Sequence, residues 1–314
     1  LHQDDDATRP GSGHRVAEAA VLLTVAIWSA NFVVVKAAIG VFGPLTFTSL
    51  RWVVAVVTLF MILRWRSGAI RWPGRDGLIL LGLGVLGFGG YQVLWTVGLT
   101  QITAGDSALI IAASPVLVAL LAGAVGLDRL TAPKLAGAVV AFGGVAVVIA
   151  TGHELTLGSS LVGDVLTLAA AALWAVYTTA GAQLLRRIDP LEATAWSVLG
   201  GALFLVPFGA WEAAITPPTG ITPAAMLAVL YSGALAAAIA NVIVFNAIRF
   251  VGPTRVTAMQ FLVPAGAVVL GAIALAEPVR PAQVAGGAVI VAGVWLTRRR
   301  SIVPDAVRAR VAHR

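Results

Sequence analysis

Two carboxamides, Gln92 and Asn241, stand inside long apolar runs of this 314-residue chain, 149 positions apart. A carboxamide carries both donors and an acceptor. A pair of them in apolar surroundings suits either a solute bearing both kinds of group or hydrogen bonds between helices. Tyr91 and Trp95 lie beside Gln92. Trp28 and Asn31 sit three residues apart, on one face of a helix, and 146 positions later stand Trp174 and Tyr177. Gln260 joins this set in a later run. Aromatic walls with polar tips suit reversible binding of an organic solute; an aromatic belt at a membrane surface is the other use of such residues. Charges are rarer in the runs. Arg51 is roughly 10 Å inside its run at 1.5 Å per residue, and the position 146 later is Ser197, so its charge is not repeated. Arg51 is expected either to hold a solute carboxylate or to pair with Asp106. Lys36 is close enough to its helix end to reach water along its stem.

The same inventory argues against catalysis. His2, His14, His153 and His313 all fall outside the apolar runs, and there is no cysteine. The runs therefore offer no nucleophile with its base, no paired carboxylates and no metal-ligand set. Gly82, Gly84 and Gly87 match G-x-G-x-x-G, but within an apolar run with no preceding strand the match carries no phosphate loop. With Gly89, Gly90, Gly143 and Gly144 they are expected to let helices pack closely. No metal or cofactor is expected, and no nucleic acid.

The elements that must hold these residues follow from composition. The chain is 59% hydrophobic and 11% charged, which makes a lipid bilayer the natural solvent. Apolar runs are expected at about 17–39, 44–63, 77–98, 104–127 and 132–150, and again at about 163–185, 190–211, 223–248, 253–276 and 281–297. The second set repeats the first. Trp28, Pro44 and Thr48 meet Trp174, Pro190 and Thr194 at an offset of 146; Pro115, Asp128, Gly137 and Gly144 meet Pro264, Glu277, Gly286 and Gly293 at 149. Such self-similarity is sought before any element is assigned. The step of three is expected to lengthen one loop between the second and third helices of a half.

Alternate loops and the ends hold 18 of the 21 Lys and Arg, the opposite loops only Arg280. Positive charge accumulates on the cytoplasmic side, so both termini are expected there. Five helices per half, an odd number, reverse the second half. The expected fold is an all-α integral membrane protein of ten transmembrane helices in two inverted-topology repeats. Its parts are a disordered N-terminus (1–16), a first repeat (17–150), an external loop (151–162), a second repeat (163–297) and a basic tail (298–314). In such repeats solutes bind near the midplane between the halves. Pro115 and Pro264 each free a backbone carbonyl one turn upstream, as hinges, as cavity lining or as static bends.

The segments IWSANFVVVKAAIG and PLTFTSLRW, then AGDSALIIAASPVLVALLAG with its acidic turn, and the copy ending LAEPVRPAQVAGGAVIVAGVWL, resemble the EamA-like family of the drug/metabolite transporter superfamily. The resemblance spans about residues 17–297. Where the family often has Gly-Glu in the first acidic turn, this chain has Leu127-Asp128. The resemblance implies a central cavity and export of amino acids, other metabolites or drugs from the bacterial cytoplasm, across the inner membrane, by a chain read as a monomer. Trp28, Asn31, Tyr91, Gln92, Trp95, Trp174, Tyr177, Asn241 and Gln260 are the expected lining. No acid lies near a helix midpoint, so gradient-driven export is preferred to proton coupling. Efflux of lipophilic or cationic drugs, which favours an acidic aromatic cavity, is the alternative.

Overall fold

The computed structural model describes residues 12–128, 130–151, 159–182, 184 and 187–298. The expected disordered arm up to residue 11, the interior of the external loop (152–158) and the tail from 299 lie outside the described residues. So do Arg129 and Arg186 of the charge count.

Among the described residues nine helices are long and apolar enough to cross a membrane, and a further apolar helix, Pro281–Thr297, is shorter. In chain order they are α1 (Ser12–Phe42), α2 (Pro44–Ser67), α3 (Arg75–Leu99), α4 (Ala104–Ala124), α5 (Ala132–Thr151), α6 (Ser159–Gly181), α7 (Pro190–Ile215), α8 (Pro223–Val251), α9 (Pro253–Leu275) and α10 (Pro281–Arg298). Two boundaries between the expected parts differ from expectation by more than one residue. α1 begins at Ser12, so residues 12–16 are helical, and α6 takes in residues 159–162 of the expected loop. The expected longer loop is also absent: residues 68–74 and 216–222 are equal in length, and α7, at 26 residues against 24 in α2, takes up most of the difference. Extending a helix satisfies every added backbone group internally, which a longer loop does not.

Prolines begin α2, α7, α8 and α9, where their missing N–H costs nothing. The remaining end groups are met by side chains. Thr222 accepts from the Ala225 N–H and Asp189 from the Leu191 N–H. Others come from far along the chain. Glu212, near the end of α7, accepts from the Thr46 N–H in the first turn of α2 at 2.7 Å. Glu277 accepts from the Ala104 N–H, the first residue of α4, at 2.9 and 3.0 Å. Lys36 Nζ donates to the Leu99 and Ile102 carbonyls at 2.6 Å each, closing the end of α3. Each charge sits at the helix end whose partial charge it opposes. Lys36 therefore does not reach out to water as expected: two orphan carbonyls are a nearer partner.

α5 and α10 cross through glycine. A Cβ on Gly137 would lie 2.6 Å from the Gly293 carbonyl oxygen, and one on Gly144 would lie 2.7 Å from that of Gly286. The 149 offset pairs Gly137 with Gly286 and Gly144 with Gly293, so each glycine meets the equivalent of the other. Gly84 and Gly87 lie against Ser197 and Tyr177, and Gly89 against Phe204. Gly82 and Gly143 face open space, so the expectation of close packing fails at those two.

Candidate functional site

Two helices depart from regular winding, and both departures adjoin the carboxamides. α3 is π-wound at Val85–Gly90, directly before Tyr91 and Gln92, and α8 at Tyr231–Ile239, directly before Ala240 and Asn241. π-turns widen the helix and are frequent at functional sites. The α8 segment is tied to α1: Trp28 Nε1 donates to the Ala236 carbonyl at 3.0 Å and the Tyr231 hydroxyl to that of Ile27 at 2.8 Å. α4 and α9 are interrupted rather than merely bent. α4 breaks at Ala112–Ala113 and α9 at Phe261, each shortly before its proline. The Ile111 carbonyl that Pro115 frees accepts from Ser114 Oγ at 2.6 Å; Val263, beside Pro264, accepts from Ser29 Oγ at 3.1 Å.

Between these irregularities lies a cavity of about 340 Å³, at the small end of ligand sites. α1 contributes Trp28, Asn31 and Phe32; α2 contributes Arg51 and Trp52; α3 contributes Phe88, Tyr91, Gln92 and Trp95. α6 adds Trp174, α8 adds Ala236, Ala237 and Asn241, and both Pro115 and Pro264 line it, with Gln260 and Phe261. The aromatic wall is continuous. Trp95 stacks on Tyr91 (6.3 Å, 12°) and meets Phe32 edge-on (5.4 Å); Tyr91 and Phe88 both reach Trp174, at 5.6 and 5.7 Å.

Of the nine residues expected to line a cavity, the structure brings together Trp28, Asn31, Tyr91, Gln92, Trp95, Trp174, Asn241 and Gln260. Tyr177 stands outside the lining: its ring packs on Phe88 at 5.0 Å and Trp174 at 5.2 Å, filling the space beside Gly87. Arg51 and Asp106 do not meet. Asp106, in the first turn of α4, accepts from Arg280 Nη2 at 2.6 Å and from Gln283 Nε2 at 2.9 Å. Arg280 immediately precedes α10 and Gln283 lies in its first turn, so the N-terminal end of α10 presents both to the carboxylate.

Arg51 turns instead to neutral groups. Its Nη1 donates to Ser232 Oγ at 2.9 Å and its Nη2 to Gln92 Oε1. Ser232 in turn donates to Asn31 Oδ1 at 2.7 Å. The chain Asn31–Ser232–Arg51–Gln92 thus links α1, α8, α2 and α3 at the cavity. Among the described residues Asn241 bonds within its own helix, Nδ2 donating to the Ala237 carbonyl at 2.9 Å. The two carboxamides at equivalent positions therefore do different work. Ser232 was invisible to sequence reasoning. Its one signal is the neighbouring Gly233, where a Cβ would collide with the Arg51 carbonyl oxygen.

The sequence profile of the EamA-like transporter family matches residues 15–150 and, a second time, 161–299. The chain belongs to the EamA-like transporter family. It is a multi-pass membrane transporter and not an enzyme. Among family relatives, an uncharacterized transporter of Archaeoglobus fulgidus is 30% identical over 279 residues, 88% of this chain and 94% of that one. A probable terminal-alkyne amino-acid exporter of Streptantibioticus cattleyicolor is 33% identical over 90% of this chain and 93% of its own. A probable amino-acid metabolite efflux pump of Salmonella typhimurium is 29% identical over 88% and 92%. A crystal structure superposes with a TM-score of 0.62 at 20% identity, covering 90% of this chain and 96% of that one, a likeness of fold.

Proposed function

We propose that this transporter exports amino acids or related small metabolites across the bacterial inner membrane, by alternating access through the central cavity. The observation that carries the reading is the cavity itself: small, walled by aromatic rings, and supplied with carboxamides and a cation. That combination suits a compact solute with both polar and apolar parts. The names of the Streptantibioticus and Salmonella relatives point to the same solute class. A cation on the cavity weighs against cationic drugs as the main cargo.

The architecture we propose is ten transmembrane helices in two inverted five-helix repeats (17–150 and 163–297), with both termini cytoplasmic. It is supported by the double family match and by the matching interruptions before Pro115 and Pro264. The π-turns before Gln92 and Asn241 and the reciprocal glycine contacts of α5 and α10 support it too. In this arrangement Pro115 and Pro264 serve as hinges of α4 and α9. Single cysteines introduced at positions 70 and 300 are expected to react only after the cells are opened. Labelling of either from outside intact cells contradicts the orientation.

The function itself is tested by loading proteoliposomes with a mixture of amino acids and lipophilic cations and following each solute's exit by mass spectrometry. Efflux of small neutral amino acids faster than from protein-free vesicles is expected. Efflux of lipophilic cations alone would replace the proposal with the drug-efflux reading.

A further inference from the structure

We infer that Arg51 anchors a carboxylate on the transported solute, so that the cavity selects monocarboxylates and makes little use of the amine. The inference rests on the cavity being the solute's path. Arg51 is 2% exposed and lies on the cavity. Three rings surround its guanidinium, Trp95 at 5.3 Å, Trp52 at 5.5 Å and Phe47 at 5.9 Å. They favour a cation and fix its plane but do not neutralise it. Its hydrogen-bond partners, Ser232 and Gln92, are both uncharged, and Nε has no partner. Among the described residues no carboxylate forms an ion pair with it; the acid expected for that role is held by Arg280.

A buried charge without a counter-charge is costly, and arginine is the side chain least able to shed its charge. The planar fork of a guanidinium matches the two oxygens of a carboxylate. Phosphate, with more charge, calls for more cations than the single one among the described lining residues. The amine of an amino acid has a poorer reception. No Asp or Glu is among the described lining residues, so an ammonium group meets only carboxamide oxygens and ring faces. A solute with an amine and no carboxylate brings a second positive charge toward Arg51.

Three probes of one shape separate these contributions: phenylalanine, 3-phenylpropionate and phenethylamine, each titrated against the purified full chain in detergent, with tryptophan fluorescence and thermal stabilisation as readouts. Phenylalanine and 3-phenylpropionate are expected to bind with comparable affinity, and phenethylamine far more weakly. Arg51→Met removes an unpaired buried charge and keeps the bulk of the stem, so the folded yield should hold. Its affinity for both carboxylates should fall on the order of 10- to 100-fold, with no fall for phenethylamine. Arg51→Lys keeps the charge without the fork and should lie between; it carries the test if the methionine variant does not fold. Equal binding of phenethylamine by the wild type, or undiminished binding of the carboxylates by both variants, overturns the anchor. Should phenylalanine still be transported in that case, the export reading survives without it. If the wild type binds none of the three probes, the anchor falls, and efflux of small neutral amino acids from loaded proteoliposomes decides the export reading separately.

Discussion

Arg280→Ala is expected to destabilise the protein by about 3 kcal/mol, the largest stability effect of any single substitution considered. Asp106 is 4% exposed and takes both its side-chain bonds from the start of α10. Removing Arg280 leaves a carboxylate in a low-dielectric setting with one amide for company. Breaking such a pair costs about 3–5 kcal/mol, and the lower figure applies because the Arg280 side chain is partly wet, at 26% exposure. The double variant Asp106→Asn with Arg280→Gln removes both charges and should recover most of the loss. The measurement is unfolding of the purified variants in mixed micelles. A change within about 0.5 kcal/mol for Arg280→Ala, typical of a surface pair, would show that the link is merely superficial.

The largest loss of transport is expected at Gln92, and the effects at the two carboxamides should differ in kind. Among the described residues Asn241 makes no bond to another helix, so Asn241→Ala should leave the folded yield unchanged. Losing one neutral contact to the solute should lower transport roughly five- to tenfold. Gln92 already accepts from Arg51. Gln92→Glu, nearly the same shape, would give Arg51 a permanent counter-charge and compete with the solute's carboxylate. A loss of transport on the order of 100-fold is expected, again with normal yield. Reconstituted vesicles with equal protein content provide the comparison. Normal specific activity with reduced yield in both variants would mean that these residues only pack helices together.

The contrast between Gln92 and Asn241 also marks how far the sequence can be read. A polar side chain in hydrocarbon must find a cavity or a partner, and this rule points to Asn31, Gln92, Asn241 and Gln260, which lie on one cavity; reading aromatic side chains as walls adds Trp28, Tyr91, Trp95 and Trp174 there, and Tyr177 outside it. The repeat located their equivalents because a fixed offset relates positions in two similarly built halves. The proline interruptions were legible for the same reason, since a missing N–H acts locally. What lay hidden was non-local. Glu212, Glu277 and Lys36 cap helices 166, 173 and 63 residues away, and nothing at those positions marks the partner. Ser232 reads like any packing serine in an alanine-rich run until α2 is laid beside it. The Arg51–Asp106 pair was a reasonable expectation from charge and depth. It fails because two donors at the start of α10 reach the acid from a nearer face. Tyr177 shares its helix face with Trp174, yet its ring is taken up by Phe88 and the gap at Gly87.

The placement of Asp106 bears on energy coupling. A coupling proton needs a group that exchanges protons in step with the solute, and this acid is occupied by Arg280 and Gln283. We therefore propose the solute's own gradient as the driving force. Efflux of a neutral amino acid from loaded proteoliposomes, with the same pH on both sides and a protonophore present, tests that claim most directly. The initial rate is predicted to follow the solute gradient and to be unchanged by the protonophore. A flux that appears only under an imposed pH gradient, with that dependence abolished by Asp106→Asn, would contradict it and make Asp106 the coupling site.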